Sequence, residues 1–408
     1  MIPSAADAII VRHSELGIKS DQVQHRMERL LSKNIEQMLS TRRVDATITR
    51  EHGRLFIRSS PDDIPAATRV ATDTAGVASA SPAVSTQPTM QAITSTLARV
   101  AGDASVNGTF AVRARRAGHA DDHPFTSQEL ERSGGSAVWD VLADPAVDLE
   151  DPDQTFYVEC RNDEAFVYVS AQDGPGGFPY RSQGRVVTLV SGGIDSPVAA
   201  WEMIRRGCEV IPVYYDFEEY GGADHVARAV ESVRQLAQYI PSGELELYRV
   251  PAGDVSALLM EETGPTRMLS LRRFMFAGAA RIADRIEADA IATGESLGQK
   301  SSQTGPNLAL TGAQIRYPIH RPLLGLDKQD IIDRAKQIDT YEDSSIDAGC
   351  NRLAPSHPET AGTLASVQAA EPNGFFAAIR DAIDRAETIS IDQQDVDRSS
   401  TRPKAQRS

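Results

Sequence analysis

One short stretch limits the fold of this chain more than any other. RVVTLV (185–190) is an apolar run that reads as a buried strand, SGGIDS (191–196) is a turn, and PVAAWEMIRRG (197–207) has helical spacing. The alternation then continues. EVIPVYYDF (209–217) reads as a strand, 223–240 as a long helix and ELELYRV (244–250) as a strand. A helix containing LRRFMFAGAARIADRI and a strand ADAIATG (288–294) follow. Strands alternating with helices imply a parallel, doubly wound α/β sheet. The turn itself has few readings. A Walker A loop needs GxxxxGK[ST], and no lysine is present; a dinucleotide fingerprint needs GxGxxG, also absent. SGG-x-DS remains. Gly192 and Gly193 let backbone approach phosphate oxygens, and the N–H groups of the helix start favour an anion. Ser191 and Ser196 add hydroxyl donors, Asp195 orients the loop or holds Mg²⁺, and Pro197 suits a first helical turn. An ordinary capped strand–helix turn is the plainer alternative. A second signal, TGESLGQKSSQT (293–304), ends the strand at 288–294. Ligands of open parallel sheets bind outside the carboxyl ends of strands, so both motifs are expected on one edge.

The first part of the chain is patterned differently. AIIVR (8–12) reads as a strand, 21–39 as an amphipathic helix, and VDATITR (44–50) with RLFIRS (54–59) as a hairpin around His52-Gly53. Residues 70–90 are rich in small residues and read as a linker. A helix at 89–101, a strand GTFAVRARR (108–116), a helix from Thr126 and strands TFYVECR (155–161) and EAFVYVS (164–170) form a second α+β unit. GPGGFPYRSQG (174–184) reads as an interdomain linker and the terminal DQQDVDRSSTRPKAQRS as a disordered tail.

Charge and cysteines narrow the class. With 42 Lys+Arg against 57 Asp+Glu in 408 residues the formal charge is −15, which argues against indiscriminate nucleic-acid binding but permits a local basic surface. Only six of the basic residues are lysine. That balance fits a salt-loving cytoplasm and also fits high-GC codon usage. No run of about 18 apolar residues occurs, so no membrane helix is expected. Three cysteines (Cys160, Cys208, Cys350) cannot make a disulfide framework, and the expected compartment is a reducing cytoplasm. Cys160 and Cys208 read as packed structural residues. Arg113, Arg115 and Arg116 cluster in one strand, with Arg113 and Arg115 on one face, as candidates for phosphate contacts to RNA; a solvated charge run is the equal alternative. Arg12, Lys19, Arg26 and Arg29 are weaker candidates.

The SGGIDS loop resembles that of ATP-dependent adenylating enzymes of the pyrophosphatase (PP-loop) type. Together, SGGIDSPVAAW, LRRFMF, TGESLGQKSSQT, RPLLGLDKQDII and DAGCNRLAPSHPET resemble the tRNA 4-thiouridine synthase, or tRNA sulfurtransferase (ThiI-like), family over nearly the whole chain. The resemblance implies a ferredoxin-like domain at 1–65, a THUMP RNA-binding domain at 66–172, a linker at 173–182, a PP-loop domain at 183–390 and a tail at 391–408. It implies ATP with Mg²⁺ as cofactors and tRNA as partner. ATP adenylates O4 of the uridine at the eighth position, and a sulfur nucleophile then displaces AMP. The implied nucleotide pocket takes Leu189, Val190, Ser191, Gly192, Gly193, Asp195, Ser196, Tyr214, Tyr215, Arg272, Gly294 and Gln303. Cys350 matches the family's catalytic cysteine, which carries or resolves a persulfide, and Asp195 is its companion in catalysis. Nearby Arg352 or a helix start would lower the pKa of the Cys350 thiol. Two departures bear on sulfur. MLSL (268–271) stands where some archaeal relatives carry a CxxC pair, so no iron–sulfur cluster is expected, and 58 residues after Cys350 are too few for a rhodanese domain. The expected donor is therefore a separate persulfide carrier, such as a cysteine desulfurase, or free sulfide. The family is also linked to thiazole sulfur in thiamine synthesis. A homodimer is left open. Rival readings are another PP-loop adenylating enzyme, or a tRNA-binding protein without thiolation activity.

Overall fold

The computed structural model describes residues 2–13, 20–51, 54–104, 108–117, 123–221, 223–344 and 353–393. Two compact units divide between Pro179 and Tyr180, inside the stretch read as a linker. Among the described residues no helix is long and apolar enough to cross a membrane.

The first unit runs β1 (Ala8–His13), α1 (Asp21–Thr41), β2 (Ala46–Glu51), β3 (Arg54–Ser59), α2 (Ile64–Asp73), β4 (Val77–Thr86), α3 (Met90–Asp103) and β5 (Thr109–Arg116). It continues through α4 (Ser127–Trp139), β6 (Ala146–Val147), β7 (Gln154–Cys160), β8 (Ala165–Tyr168) and β9 (Gln172–Asp173). One sheet joins all nine strands in the order β2-β3-β1-β4-β8-β7-β5-β6, with β9 on β4. The linker expected at 70–90 is corrected: it holds the end of α2 and the ten-residue β4, which pairs antiparallel with both β1 and β8. VASASPAVST conceals a strand because its alternation is between small residues. Those residues suit a position where helices press close on the sheet. The division expected at 65/66 falls just inside α2. The other elements follow their patterns. α4, for example, starts at an N-cap Thr126 whose capping box with Glu129 satisfies two helix-end donors.

Helices pack on one face of this sheet. Ile9 and Val11 meet Leu31, Ile35 and Val70, while Val112, Phe156 and Val158 meet Ile93, Leu97 and Leu130. The alternating residues Ala8, Ile10, Phe56, Ala83 and Phe166 form a thin separate cluster on the opposite face.

The second unit runs β10 (Arg185–Val190), α5 (Asp195–Arg205), β11 (Glu209–Asp216), α6 (Ala223–Ala237), β12 (Glu244–Pro251), α7 (Gly253–Glu262), α8 (Arg267–Ile286) and β13 (Ala290–Ala292). α9 (Gly305–Gly312), β14 (Ile319–His320), α10 (Lys328–Gln337) and β15 (Glu387–Asp392) follow, with short helices at Leu364–Ala370 and Phe375–Asp384 between the last two. The sheet order is β14-β13-β10-β11-β12-β15, parallel throughout except for the antiparallel edge strand β15. The expected doubly wound parallel sheet is thus present. β15 runs to Asp392, past the point where a tail was expected to begin, because Ile389 and Ile391 pair with Leu247 and Leu245 of β12. Residues 394–408 lie outside the described residues. The core gathers Val187, Val213, Val250 and Ile291 of the sheet against Phe274 and Ile282 of α8.

Candidate active site

The strand order reverses between β10 and β13. From β10 the chain proceeds outward through β11 and β12, whereas β13 and β14 lie on the other side. The loops leaving β10 and β13 therefore diverge and leave a crevice at their carboxyl ends, the place where such sheets bind ligands. Register puts the two ends together, with Thr188 opposite Ala292 and Val190 opposite Tyr214. Gly294 closes the floor. A Cβ there would come within 2.8 Å of the Asp195 carbonyl carbon and 2.9 Å of the Ser196 nitrogen, so only glycine lets the two loops touch.

The phosphate loop is stitched by its own serines. The Ser191 N–H donates to Ser196 Oγ (2.8 Å), Ser196 Oγ donates to the Ser191 carbonyl (3.2 Å), and the Gly193 N–H donates to Ser191 Oγ (3.3 Å). The two hydroxyls expected as ligand donors are both engaged within the loop. They shape the loop, and the start of α5 supplies the anion-facing N–H groups. Neither Gly192 nor Gly193 is among the glycines with positive φ, and at Gly192 it is space rather than backbone freedom that selects glycine. A Cβ on Gly192 would press on Arg228 Cβ at 3.1 Å and on His225 Nδ1 at 3.4 Å.

Arg272 stands in the crevice as a fixed cation. Nη1 donates to Glu295 and Nε donates to Ser302 Oγ at 3.0 Å. With its amide oriented to match donors to acceptors, Gln303 accepts from Arg272 Nη2 (3.1 Å) and donates to the Ser296 carbonyl (2.7 Å). Glu295 is 1% exposed and takes a second guanidinium, Arg321 Nε, at 2.8 Å. Two guanidiniums thus share one buried carboxylate, and Arg272 is the one that lines the crevice. Across from it, Lys328 Nζ meets Asp195 Oδ1 at 2.7 Å. Lys328 opens α10, where a positive charge opposes the helix dipole, and Asp195 offsets that cost. α10 is held to α5 by Arg334 on Glu202 at 2.6 Å. Among the described residues no group of three or more His, Cys, Asp or Glu is placed to hold a metal. Asp195 thus faces a lysine rather than further carboxylates.

An apolar wall completes the crevice with Leu189, Val190, Tyr214, Phe217, Leu271 and Met275. Tyr215 lines it by its ring alone, because its hydroxyl donates to the Met275 carbonyl at 2.6 Å inside the core. The nucleotide residues expected from the sequence converge here; Glu295, Arg321 and Lys328 were missed. Two signals pointed to them: Glu295 sits inside TGES, and Lys328 is one of six lysines and lies at a helix start. Cys350 and Arg352 lie outside the described residues. Cys160 is fully buried, 3.5 Å from His123 Nε2, and burial pushes its thiol up to about 11. Cys208 is also buried and its thiol is also pushed up by burial.

In the first unit, the face opposite the helices is rich in arginine and aromatic rings. Phe56 stacks on Phe166 and Tyr157 on Tyr168, with ring centroids 4.8 and 5.1 Å apart. The guanidiniums of Arg161, Arg58 and Arg12 lie over Phe56, Phe166 and Tyr168. A cavity of about 920 Å³ opens beside them, lined by Arg54, Arg115, Arg161, Glu159, Glu51 and Ser85. Glu159 is buried and takes Arg161 at 2.8 Å, with Arg12 and Arg54 each at 3.7 Å. Burial, and then the neighbouring guanidiniums, hold Arg54 below the usual arginine range despite Glu159. The three arginines expected as candidates for phosphate contacts, with Arg116 on the other face, have different neighbours. Arg115 lines the cavity, Arg113 donates to the Leu149 carbonyl, and Arg116 donates to the Phe125 carbonyl at 2.6 Å. Arg29 donates to His25 O within α1, and Lys19 lies outside the described residues.

Comparison with known proteins agrees with this arrangement. Residues 181–375 match the family described as "Thiamine biosynthesis protein (ThiI)", 8–81 the ThiI ferredoxin-like domain and 88–170 the THUMP domain. A probable tRNA sulfurtransferase of Halobacterium salinarum is 50% identical over 379 residues, 92% of this chain and 95% of the relative. That of Methanosarcina acetivorans is 38% identical over 360 residues, 86% of each chain. The crystal structure of a 4-thiouridine synthetase–RNA complex with bound ATP superposes with a TM-score of 0.81 at 25% identity, covering 95% of this chain and all of that one. With this identity spanning almost the full length of both partners, the chain belongs to the tRNA sulfurtransferase (ThiI) family.

Proposed function

We propose that this protein is an ATP-dependent tRNA sulfurtransferase that converts the uridine at the eighth position of tRNA to 4-thiouridine. The observation that carries the reading is the crevice itself. Gly294 seats the TGES loop against the SGGIDS loop, and Arg272 and Lys328 bring cations to a helix start. Uridine O4 attacks the α-phosphorus of ATP, the bond to the β-phosphate oxygen breaks, and pyrophosphate leaves. The C4–O4 bond is then part of a phosphate ester. A sulfur nucleophile adds at C4, the C4–O4 bond breaks, and AMP departs with the former carbonyl oxygen. Where the nucleophile is a persulfide, a second thiol then breaks its S–S bond, leaving sulfur on C4 and the two thiols joined as a disulfide. Free sulfide needs no such step. A carbonyl oxygen leaves poorly, and adenylation is what makes its departure possible. The N–H groups of α5 and the Arg272 guanidinium stabilise charge as it moves onto the leaving pyrophosphate. Asp195 is the carboxylate that would hold Mg²⁺, which would supply charge neutralisation for the departing pyrophosphate.

Cys350 is the sulfur-handling residue in this reading, and sulfur comes from a separate persulfide carrier or as free sulfide. The arginine-rich face of the first unit, with Arg54, Arg115 and Arg161 around its cavity, contacts tRNA phosphates. The protein works in the cytoplasm. The test separates the two half-reactions. Asp195→Ala should lose tRNA-dependent AMP formation while binding tRNA as before. Cys350→Ser should still form AMP but make little 4-thiouridine from a persulfide donor, since a hydroxyl is a far poorer nucleophile than a thiolate. Wild-type AMP formation by Asp195→Ala would remove the assignment of the phosphate loop.

A further inference from the structure

One side chain outside the crevice wall joins the two halves of this chemistry. Asn307, in the first turn of α9, has no solvent exposure. Its Nδ2 donates to the carbonyls of Ser301 (2.8 Å) and Glu359 (3.0 Å), and its Oδ1 accepts from the Gly362 N–H (3.0 Å). Both amide hydrogens and the amide oxygen are therefore spent on backbone groups of two separate segments. Ser301 begins the short 3₁₀ turn Ser301–Gln303, whose Ser302 and Gln303 hold Arg272. Glu359 and Gly362 belong to the segment that leads away from Cys350. Thr304 adds a second tie, since its Oγ1 donates to the Thr360 carbonyl (2.7 Å) while accepting from the Asn307 N–H (3.4 Å). The same segment is also fixed to the start of α8. Arg267 Nη1 donates to the Leu353 carbonyl (3.4 Å), the Glu359 N–H donates to the Pro265 carbonyl (3.0 Å), and Leu353 is buried in the core.

We infer that Asn307 is a positioning residue that sets the nucleotide-site turn Ser301–Gln303 and the segment Glu359–Gly362 in one register. The turn that holds Arg272 and the described residues downstream of Cys350 are thereby joined through one buried amide, with Thr304 as a second tie. This inference rests on the role proposed for Cys350. The physical reason is the burial. Asn307 is itself fully buried, so its loss removes three hydrogen bonds at once from the point where the two segments meet and loosens their contact there.

The test uses the full chain with tRNA, ATP–Mg²⁺ and a persulfide donor. Asn307→Asp keeps the size and the bond to Gly362 but turns an oxygen toward two carbonyls. Thr304→Val removes the outer tie, and Thr304→Ser keeps it. Two quantities are read: KM for ATP in tRNA-dependent AMP formation, and 4-thiouridine made per AMP released. Asn307→Asp should raise KM for ATP about ten-fold and lower the thiouridine-to-AMP ratio at least about three-fold. Thr304→Val should lower the ratio and Thr304→Ser should restore it. A change in only one of the two quantities for Asn307→Asp overturns the joint role, as does a variant that loses melting temperature alone. If Asn307→Asp does not fold, equal ratios for Thr304→Val and Thr304→Ser overturn it instead. Cys350→Ser is measured alongside. Normal thiolation by that variant defeats the reading on which the inference rests, whereas wild-type behaviour of Asn307→Asp defeats the inference and leaves that reading standing.

Discussion

Gly294 has no room for even a methyl group, because the Asp195 and Ser196 backbone occupies the space. Gly294→Ala must therefore push the TGES loop away from the phosphate loop. Tight packing converts a small added volume into displacement, and misplacement of reacting groups by about 1 Å costs on the order of 100-fold. The variant should lose AMP formation by about that factor while remaining folded, as steady-state assay and circular dichroism would show; near-normal activity would mean that the two loops need not touch. The thiols give a second test at this scale. Burial pushes Cys160 up to about 11, so little thiolate forms there at pH 8, and Cys208 is raised in the same direction. Raising pH toward that value exposes more thiolate, so alkylation of Cys160 should accelerate with pH and with denaturant. In native protein at pH 8, mass spectrometry should find Cys160 and Cys208 unlabelled; rapid labelling of Cys160 would contradict its buried placement.

Among the elements, α10 links chemistry to scaffold. Lys328 at its first position reaches Asp195, and Arg334 two turns on anchors the helix to Glu202 of α5. Arg334→Ala leaves Lys328 in the chain but loosens its bearing. It should weaken AMP formation by a smaller factor than Lys328→Ala, about ten-fold or less, with both variants retaining tRNA binding. Equal activity of Lys328→Ala and wild type would leave Asp195 without need of its partner. The legibility of the elements followed the same physics. β10 and β11 were plain because a buried parallel strand is a continuous apolar run. β4 was not, because Ala and Ser carry almost no contrast between its faces. Glu295, Arg321 and Lys328 are polar residues in loops or at a helix start, and their meeting depends on the order β14-β13-β10, which sequence spacing does not encode. The divided fate of Arg113, Arg115 and Arg116 shows the same limit. Strand alternation gave their faces, but only the neighbouring segments decided which guanidinium was already engaged.

Taken whole, the molecule assigns its tasks to two units. The crevice proposed for nucleotide chemistry lies within Tyr180–Ser408, and the arginine-lined cavity within Met1–Pro179. A fragment of residues 180–408 should bind ATP yet lose most tRNA affinity, and the affinity lost should be the salt-sensitive part, since phosphate contacts weaken as salt rises. Undiminished tRNA binding by the fragment would remove the RNA role of the first unit. The central claim is sulfur insertion into tRNA, and it is tested most directly by nucleoside analysis of bulk tRNA from cells lacking this protein. The account predicts that 4-thiouridine disappears, returns with the wild-type chain and does not return with Asp195→Ala. Undiminished 4-thiouridine in the cells lacking the protein would contradict it.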